Sequence, residues 1–121
     1  DCSFKTVSRG TSNVTFQGKV FVDNDCSDTV SSQISKGLVM SDDSKINLTP
    51  ILEINNDDVV CSHGAASGKP DDTVLFYLAS RGIEKRDAEK LYMKGFLSEF
   101  LNKIENVQMQ SKARDYISQN C

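Results

Sequence analysis

Residues 52–68 read LEINNDDVVCSHGAASG, and they mark the point at which the character of the chain changes. The segment holds the only histidine, His63, with Cys61 two residues before it and carboxylates upstream at Glu53, Asp57 and Asp58. Before this segment the chain shows short strand-like runs, and after it the apolar spacing becomes helical. The segment therefore decides the fold class, β first and α second.

The first half of the chain consists of short apolar and β-branched runs separated by polar turns. Residues 14–17 and 19–22 flank Gly18, which predicts a bend or bulge, and residues 46–48 and 51–54 are separated by a Thr-Pro pair. Short runs with frequent corners are typical of the coils of a parallel β-helix and also of a small sandwich. The pattern alone leaves both architectures open.

The second half of the chain is helical by its start and stop signals. A Pro-Asp-Asp sequence at residues 70–72 predicts a helix over residues 73–81, and Gly82 is placed to end it. A longer helix is predicted over residues 84–104 from an apolar stripe with steps of three and four, made by Ala88, Leu91, Tyr92, Phe96, Phe100 and Ile104. A weak last helix is predicted over residues 112–118.

The predicted division is a β part over residues 1–66 and a small helical domain over residues 67–121. The chain begins at Asp1 without a methionine, so we interpret it as a fragment of a longer protein or a processed product. Its net charge of −3 and pI near 5.1 argue against nucleic-acid binding, which requires a basic surface. No apolar run approaches the roughly 20 residues that a membrane span needs.

The four cysteines leave a second interpretation open. Cys2, Cys26, Cys61 and Cys121 are an even number, which permits two disulfides, and two Asn-x-Thr sequons begin at residues 13 and 47. These features fit a secreted, disulfide-linked, β-rich binding domain. The cysteines are too sparse for a disulfide scaffold, and sequons arise by chance in a chain rich in Asn and Ser.

Cys61 and His63 are the candidate metal ligands. If the segment is a strand, residues two apart share a face, so a thiolate and an imidazole would point the same way, as iron or zinc prefers. Two ligands do not make a site, so Glu53, Asp58 or another chain would have to complete it. The structural alternative is a half-buried cysteine and a hydrogen-bonded histidine.

Nucleophilic catalysis and phosphate binding are disfavoured. Known Cys-His dyads draw their two residues from separate elements, whereas these lie on one predicted strand. Residues 64–69 resemble a shortened P-loop, but Pro70 occupies the position of the magnesium-binding Ser or Thr. The small residues are better explained as the turn from the last strand into the first helix.

A series of short motifs runs along the chain in a characteristic order. The segments are Leu52-Glu53-Ile54, Asp57-Asp58-Val59, Cys61-Ser62-His63-Gly64-Ala65, Gly68, Leu75-Phe76-Tyr77-Leu78, Ser80-Arg81-Gly82-Ile83, Ala88 and Gly95-Phe96, with Phe16-Gln17-Gly18-Lys19-Val20 and Pro50 upstream. This order resembles a known family, the SufB/SufD scaffold proteins of the SUF iron–sulfur cluster assembly system. The DDVxCSHGA segment resembles SufD rather than SufB. The resemblance covers roughly residues 3–100, and nothing after Asn102 contributes to it.

The resemblance implies the last coils of a right-handed parallel β-helix followed by a C-terminal helical domain, in a protein that is not an enzyme by itself. It implies a SufB-like partner, a SufC-like ATPase docked on the helices, and a transient iron–sulfur cluster shared with the partner subunit. His63 is the expected interfacial iron or cluster ligand, with Cys61 second. The positions expected to dock the ATPase are Tyr77, Arg81, Gly82, Ala88 and Phe96.

The resemblance also bears on location and assembly. The family acts in the bacterial cytoplasm and in plastids, and this Asn- and Lys-rich chain favours a plastid-type organelle, an apicoplast or chloroplast stroma, with the bacterial cytoplasm as the alternative. A strand edge left unpaired in an isolated fragment would favour a homodimer.

Overall fold

The computed structural model describes all 121 residues, which form two compact units, Asp1–Gly68 and Lys69–Cys121. The first unit contains the strands and the second contains the helices, so the predicted order of β first and α second is confirmed. The sequence placed the division after Ala66, whereas the last strand includes Ser67 and Gly68.

The β unit consists of five strands that alternate between two parallel sheets. The strands are β1 Cys2–Ser8, β2 Asn13–Val22, β3 Thr29–Val39, β4 Lys45–Ile54 and β5 Val59–Gly68. One sheet has the order β1-β3-β5 and the other pairs β2 with β4, with all pairs parallel and in continuous register. Each connection therefore takes the chain from one sheet to the other.

The strands are longer and less interrupted than the sequence predicted. Gly18 was expected to bend the chain and Pro50 to separate two runs, but both lie inside continuous strands and are register partners of each other. β4 pairs with one strand only, so a proline that lacks a backbone donor is tolerated there. A Cβ at Gly18 would collide with the side-chain amide of Gln33, so close packing, rather than a bend, explains the glycine.

The interior of the β unit is partly apolar and partly polar. The rings of Phe4 and Phe16 stack with their centroids 3.6 Å apart. The buried hydroxyls of Ser8 and Ser44 hydrogen-bond to each other at 3.0 Å. On β3 the buried residues include Gln33, whereas Ile34 beside it is 42 % exposed. The inward face of β3 is therefore polar.

The helical unit begins as its sequence signals predicted. Helix α1 spans Asp72–Ser80, and the carboxylate of Asp71 caps it by accepting from the backbone N–H of Thr73 at 2.8 Å. Gly82 follows with φ of +82°, the left-handed conformation expected just after a helix end.

The remaining helices differ from the prediction in their bounds. Helix α2 spans Lys85–Ser98 and ends before a short 3₁₀ turn, Leu101–Lys103, so the predicted helix over residues 84–104 was too long. Helix α3 spans Val107–Asn120 and begins earlier than predicted because the side chain of Asn106 caps its first backbone N–H groups. None of the three α-helices has the length and apolar content needed to cross a lipid bilayer.

Replacing Gly37 by Ala is expected to destabilise the β unit by about 1–3 kcal/mol, because overpacking a filled interior strains its neighbours. The new Cβ would lie 2.9 Å from a methyl of Ile46 and 3.1 Å from the Cβ of Ser67. Gly64→Ala is the matched control, since a Cβ there meets nothing within 4 Å. Urea denaturation should show a lower midpoint for Gly37→Ala alone, and equal midpoints would contradict the packing described.

Candidate functional site

Strand β5 carries the two candidate ligands, and the expected strand conformation at Cys61 and His63 is confirmed. Cys61 lies beside Ser31 in the register and His63 lies beside Gln33, so both candidates share a face with the buried side chain of Gln33. Cys61 is half-buried and His63 is exposed. Because β5 is an edge strand of its sheet, the imidazole remains accessible although it lies on the inward-facing side of its strand.

The neighbouring carboxylates do not complete a metal site within this chain. Glu53 forms an ion pair with Lys19 on the adjacent strand. Asp57 and Asp58 are exposed in the turn before β5, where the backbone N–H of Asp58 is bound by Asn56 at 2.8 Å. No group of three His, Cys, Asp or Glu side chains is placed to hold a metal ion. The chain presents two candidate ligands, which fall short of a complete coordination shell.

The turn before β5 is fixed by hydrogen bonds to the equivalent turn before β3. The side-chain amide of Asn56 donates to the carbonyl of Asn24 at 2.5 Å, and the backbone N–H of Asp28 donates to the carbonyl of Asp58 at 2.8 Å. Asp28 adopts the left-handed conformation with φ of +58°, which short polar side chains tolerate. These contacts fix the start of β5 and hence the alternation that places Cys61 and His63 on one face.

The small residues after His63 continue the strand. The sequence predicted that residues 64–68 turn tightly into the helix, and this is wrong, because Gly64 pairs with Ile34 and the ladder continues until Gly68 pairs with Leu38. The result is a ten-residue edge strand with one unpaired side. A shallow hollow of about 320 Å³ lies between the two edge strands β4 and β5. It is lined by Ile46, Asn47, Leu48, Thr49, Ala65, Ala66 and Ser67.

The helical unit has an apolar groove between α1 and α2. It has a volume of about 400 Å³ and is lined by Val74, Leu78, Leu91, Tyr92, Gly95 and Phe96. Leu91 is 51 % exposed although it is apolar, and a Cβ at Gly95 would project into open space. The hydroxyl of Tyr92 accepts from the backbone N–H of Asp71 at 3.2 Å, which ties the start of α1 to α2.

The residues expected to dock a partner occupy different environments. Phe96 lines the groove. Tyr77 and Arg81 form an exposed pair one turn apart, with the guanidinium donating to the Tyr77 hydroxyl at 3.2 Å and lying 5.4 Å from the ring centroid. Gly82 provides the helix end, and Ala88 is only 1 % exposed, so it would influence docking through the position of α2.

Two residues that line the groove, Val74 and Leu78, are not among the positions expected to dock a partner. Phe76, which is 75 % exposed outside the groove, is not among them either. The apolar stripe that predicted α2 already contained Leu91 and Tyr92, so the stripe was the available signal.

Comparison with known proteins identifies the family. Residues 1–96 match the family model described as "SUF system FeS cluster assembly, SufBD core domain". The chain belongs to the SufBD family. It is 34 % identical over 112 residues to the iron–sulfur cluster assembly protein SufD of Escherichia coli, covering 91 % of this chain and 26 % of that protein.

Two further relatives come from Synechocystis and from Arabidopsis thaliana. A SufBD family protein of Synechocystis is 37 % identical over 103 residues, covering 85 % of this chain and 23 % of the relative. The chloroplastic protein ABCI7 of Arabidopsis thaliana is 32 % identical over 111 residues, covering 92 % of this chain and 23 % of the relative. This SufBD chain therefore spans about a quarter of the length of the curated relatives that it matches.

Proposed function

We propose that this chain belongs to a SufD-like scaffold subunit of the SUF iron–sulfur cluster assembly complex, a protein without enzymatic activity of its own. Membership of the SufBD family and relatives named SufD support this function. The observation that carries it is the incomplete site on β5, where an exposed imidazole and a half-buried thiol lie on one face of an edge strand without a third ligand. Such a half-site suits a subunit that shares its cargo with a second chain.

In this proposal the β unit forms the last coils of a right-handed parallel β-helix. The support is the alternation of consecutive strands between two parallel sheets, with β1, β3 and β5 stacked in register. Parallel strands need crossover connections, and here the intervening strand of the other sheet makes each crossover. Each pair of strands with its two turns then corresponds to one coil.

The SufB-like partner would meet this chain at β5. The unpaired side of β5 offers ten residues of backbone donors and acceptors, and adding a strand to such an edge is a common mode of association. The cargo, a transient iron–sulfur cluster, would be held between the subunits, with His63 as the leading ligand from this chain and Cys61 as the second. In an isolated fragment, a strand edge left unpaired by missing coils would favour a homodimer.

The SufC-like ATPase would dock on the helical unit. The apolar groove between α1 and α2 supports this assignment, because an exposed Leu91 beside an open Gly95 leaves room for an apolar side chain of a partner. The exposed pair formed by Tyr77 on α1 and Arg81 just after its end provides a polar and aromatic contact of the kind that is enriched at interfaces.

Relatives from a chloroplast and from bacteria support two locations, a plastid-type organelle and the bacterial cytoplasm. The rival interpretation of a secreted, disulfide-linked domain has little support, because all four cysteines are free in the structure.

Affinity purification tests the proposed function. The full-length protein, tagged and expressed at its natural level, is expected to retain a SufB-like subunit and a SufC-like ATPase through washing at moderate salt. The helical surface and β5 are separate contacts, so Leu91→Glu should release the ATPase while the SufB-like subunit remains. Recovery of neither partner from cells that express both would refute the proposal.

A further inference from the structure

Gln33 lies in the middle of a lateral row of three side chains. In the register of the first sheet, Cys2 on β1, Gln33 on β3 and His63 on β5 are paired successively. Register partners in a parallel sheet point to the same face, and neighbouring strands lie about 4.8 Å apart. The Gln33 side chain is therefore the nearest inward-facing neighbour of His63 on the adjoining strand.

The buried amide of Gln33 is only partly satisfied. The residue is 3 % exposed, and its side-chain oxygen Oε1 is buried without a hydrogen-bond partner. Its nitrogen Nε2 lies against Gly18 on β2, so close that a Cβ added at Gly18 would collide with it. The amide thus reaches from one sheet to the other and is confined there. A buried amide oxygen without a donor is destabilising, and such groups are rare in folded proteins.

His63, the register partner of Gln33, carries the type of donor that Oε1 lacks. A neutral imidazole has one N–H donor and one nitrogen with a free lone pair, and the hydrogen bond made by one nitrogen determines which nitrogen can bind a metal. Imidazoles that bind metals nearly always donate their other N–H to a carboxylate or carbonyl oxygen. Glu53, the one carboxylate on β4, is already paired with Lys19, and Asp57 and Asp58 are exposed in the turn before β5.

We propose that Gln33 is a positioning residue for His63, with Oε1 accepting the hydrogen bond from one ring N–H. This contact fixes the ring orientation and the tautomer, and it leaves the other ring nitrogen free on the accessible side of β5. The inference rests on the proposed function for the identity of the cargo, but the hydrogen bond itself can be tested in the absence of iron.

The first test observes the ring N–H directly in the full-length protein without iron, labelled with ¹⁵N-histidine. The ring N–H of a solvent-exposed histidine exchanges too fast to be seen, so a slowly exchanging ring N–H signal that disappears in His63→Ala is expected. The signal should also disappear in Gln33→Met, which keeps the side-chain length and removes the acceptor. Gln33→Glu, which retains an acceptor oxygen, should preserve it.

Two further variants control for loss of folding in this test. Ser35→Ala is the matched control, because Ser35 lies two residues along the same inward face, also has a buried unpartnered oxygen, and pairs with Ala65 rather than His63. Gly18→Ala leaves Gln33 in place but displaces its amide, so the signal should be lost even if Gln33→Met fails to fold. The absence of the signal in the wild type, or its persistence in both Gln33→Met and Gly18→Ala, would overturn the proposal.

The second test measures the affinity of the assembled complex for Fe²⁺ alone. Loss of a residue that orients a ligand typically weakens metal binding about 10–100-fold, so Gln33→Met should show a loss in this range and Ser35→Ala should show none. In a His63→Ala background, Gln33→Met should cause no further loss, because its effect passes through His63. An undiminished effect in that background would mean that Gln33 acts on the fold generally.

The two tests separate the inference from the proposed function. If His63→Ala binds Fe²⁺ as the wild type does, the assignment of His63 as a cargo ligand fails, whereas the N–H signal still decides the hydrogen bond. If His63→Ala weakens binding and Gln33→Met does not, the positioning role of Gln33 is overturned and the proposed function stands.

Discussion

Replacing His63 by Ala in the full-length protein is expected to lower cluster assembly by the SUF complex by at least about tenfold. Losing a residue that merely orients a metal ligand lowers affinity about 10–100-fold, and losing the ligand itself should cost no less. His63 is exposed on an edge strand, so its removal should leave the fold intact, and partner binding is measured alongside. The measurement is cluster formation on the reconstituted complex, followed by absorbance and iron content.

Ser62→Ala is the matched control for this prediction. Ser62 is exposed, adjacent in sequence, and faces away from His63 because successive strand residues alternate. It should leave cluster formation unchanged. Cys61→Ala is expected to give an intermediate effect, since the thiol lies half-buried beside the imidazole face. If the His63→Ala protein formed clusters as the wild type does and still bound its partners, His63 would not be part of the site.

Leu91→Glu is expected to weaken binding of the SufC-like ATPase by about 2 kcal/mol, roughly 30-fold in Kd, which is the loss that marks one of the few dominant residues of an interface. Leu91 lines the apolar groove and is 51 % exposed, so the substitution would place a charge where an apolar partner side chain is proposed to bind. Leu and Glu have similar helix propensity, so α2 should remain folded. Titration of the ATPase against the full-length protein measures the loss.

Val107→Glu controls for the addition of a negative charge to the helical unit. Val107 is the first residue of α3, is 76 % exposed and does not line the groove. An acid in the first turn is compatible with the helix dipole, so both stability and ATPase binding should be unaffected. Equal affinities of the two variants would place the docking surface outside the groove.

Local signals predicted the helical unit well where they were complete. Helix α1 is capped by Asp71 and followed by Gly82. Both features involve backbone groups only a few residues away, so the local sequence is enough to predict them. The end of α2 at Ser98 and the early start of α3 were missed. Both helix bounds depend on competition between neighbouring short segments. The cap at Asn106, and not the weak apolar pattern of α3, determines where that helix begins.

The strands were harder to predict, because their extent depends on partners far along the chain. Gly64 and Gly68 favour turns when considered alone, but pairing with Ile34 and Leu38 extends β5 through them. Strand β3 also reverses the usual pattern, since Val30 is 78 % exposed while Gln33 and Ser35 are buried. Apolar periodicity therefore could not identify its inward face, and only the register with β1 and β5 does so.

For the candidate site, the two-residue spacing of Cys61 and His63 was sufficient to predict a shared face. The sequence could not show that Glu53 is engaged by Lys19, because that ion pair joins residues 34 positions apart. It gave no sign of Gln33 either, since a glutamine among serines has no distinctive pattern. The position of Gln33 beside His63 follows from strand pairing alone.

The central claim is that His63 contributes a nitrogen ligand to a cluster shared with another chain. The most direct test labels the histidines of this subunit alone with ¹⁵N, assembles the complex with unlabelled partners, and records the pulsed EPR spectrum of the reduced cluster. A ¹⁵N hyperfine coupling to the cluster is the predicted result. A cluster signal without any ¹⁵N coupling would contradict the account.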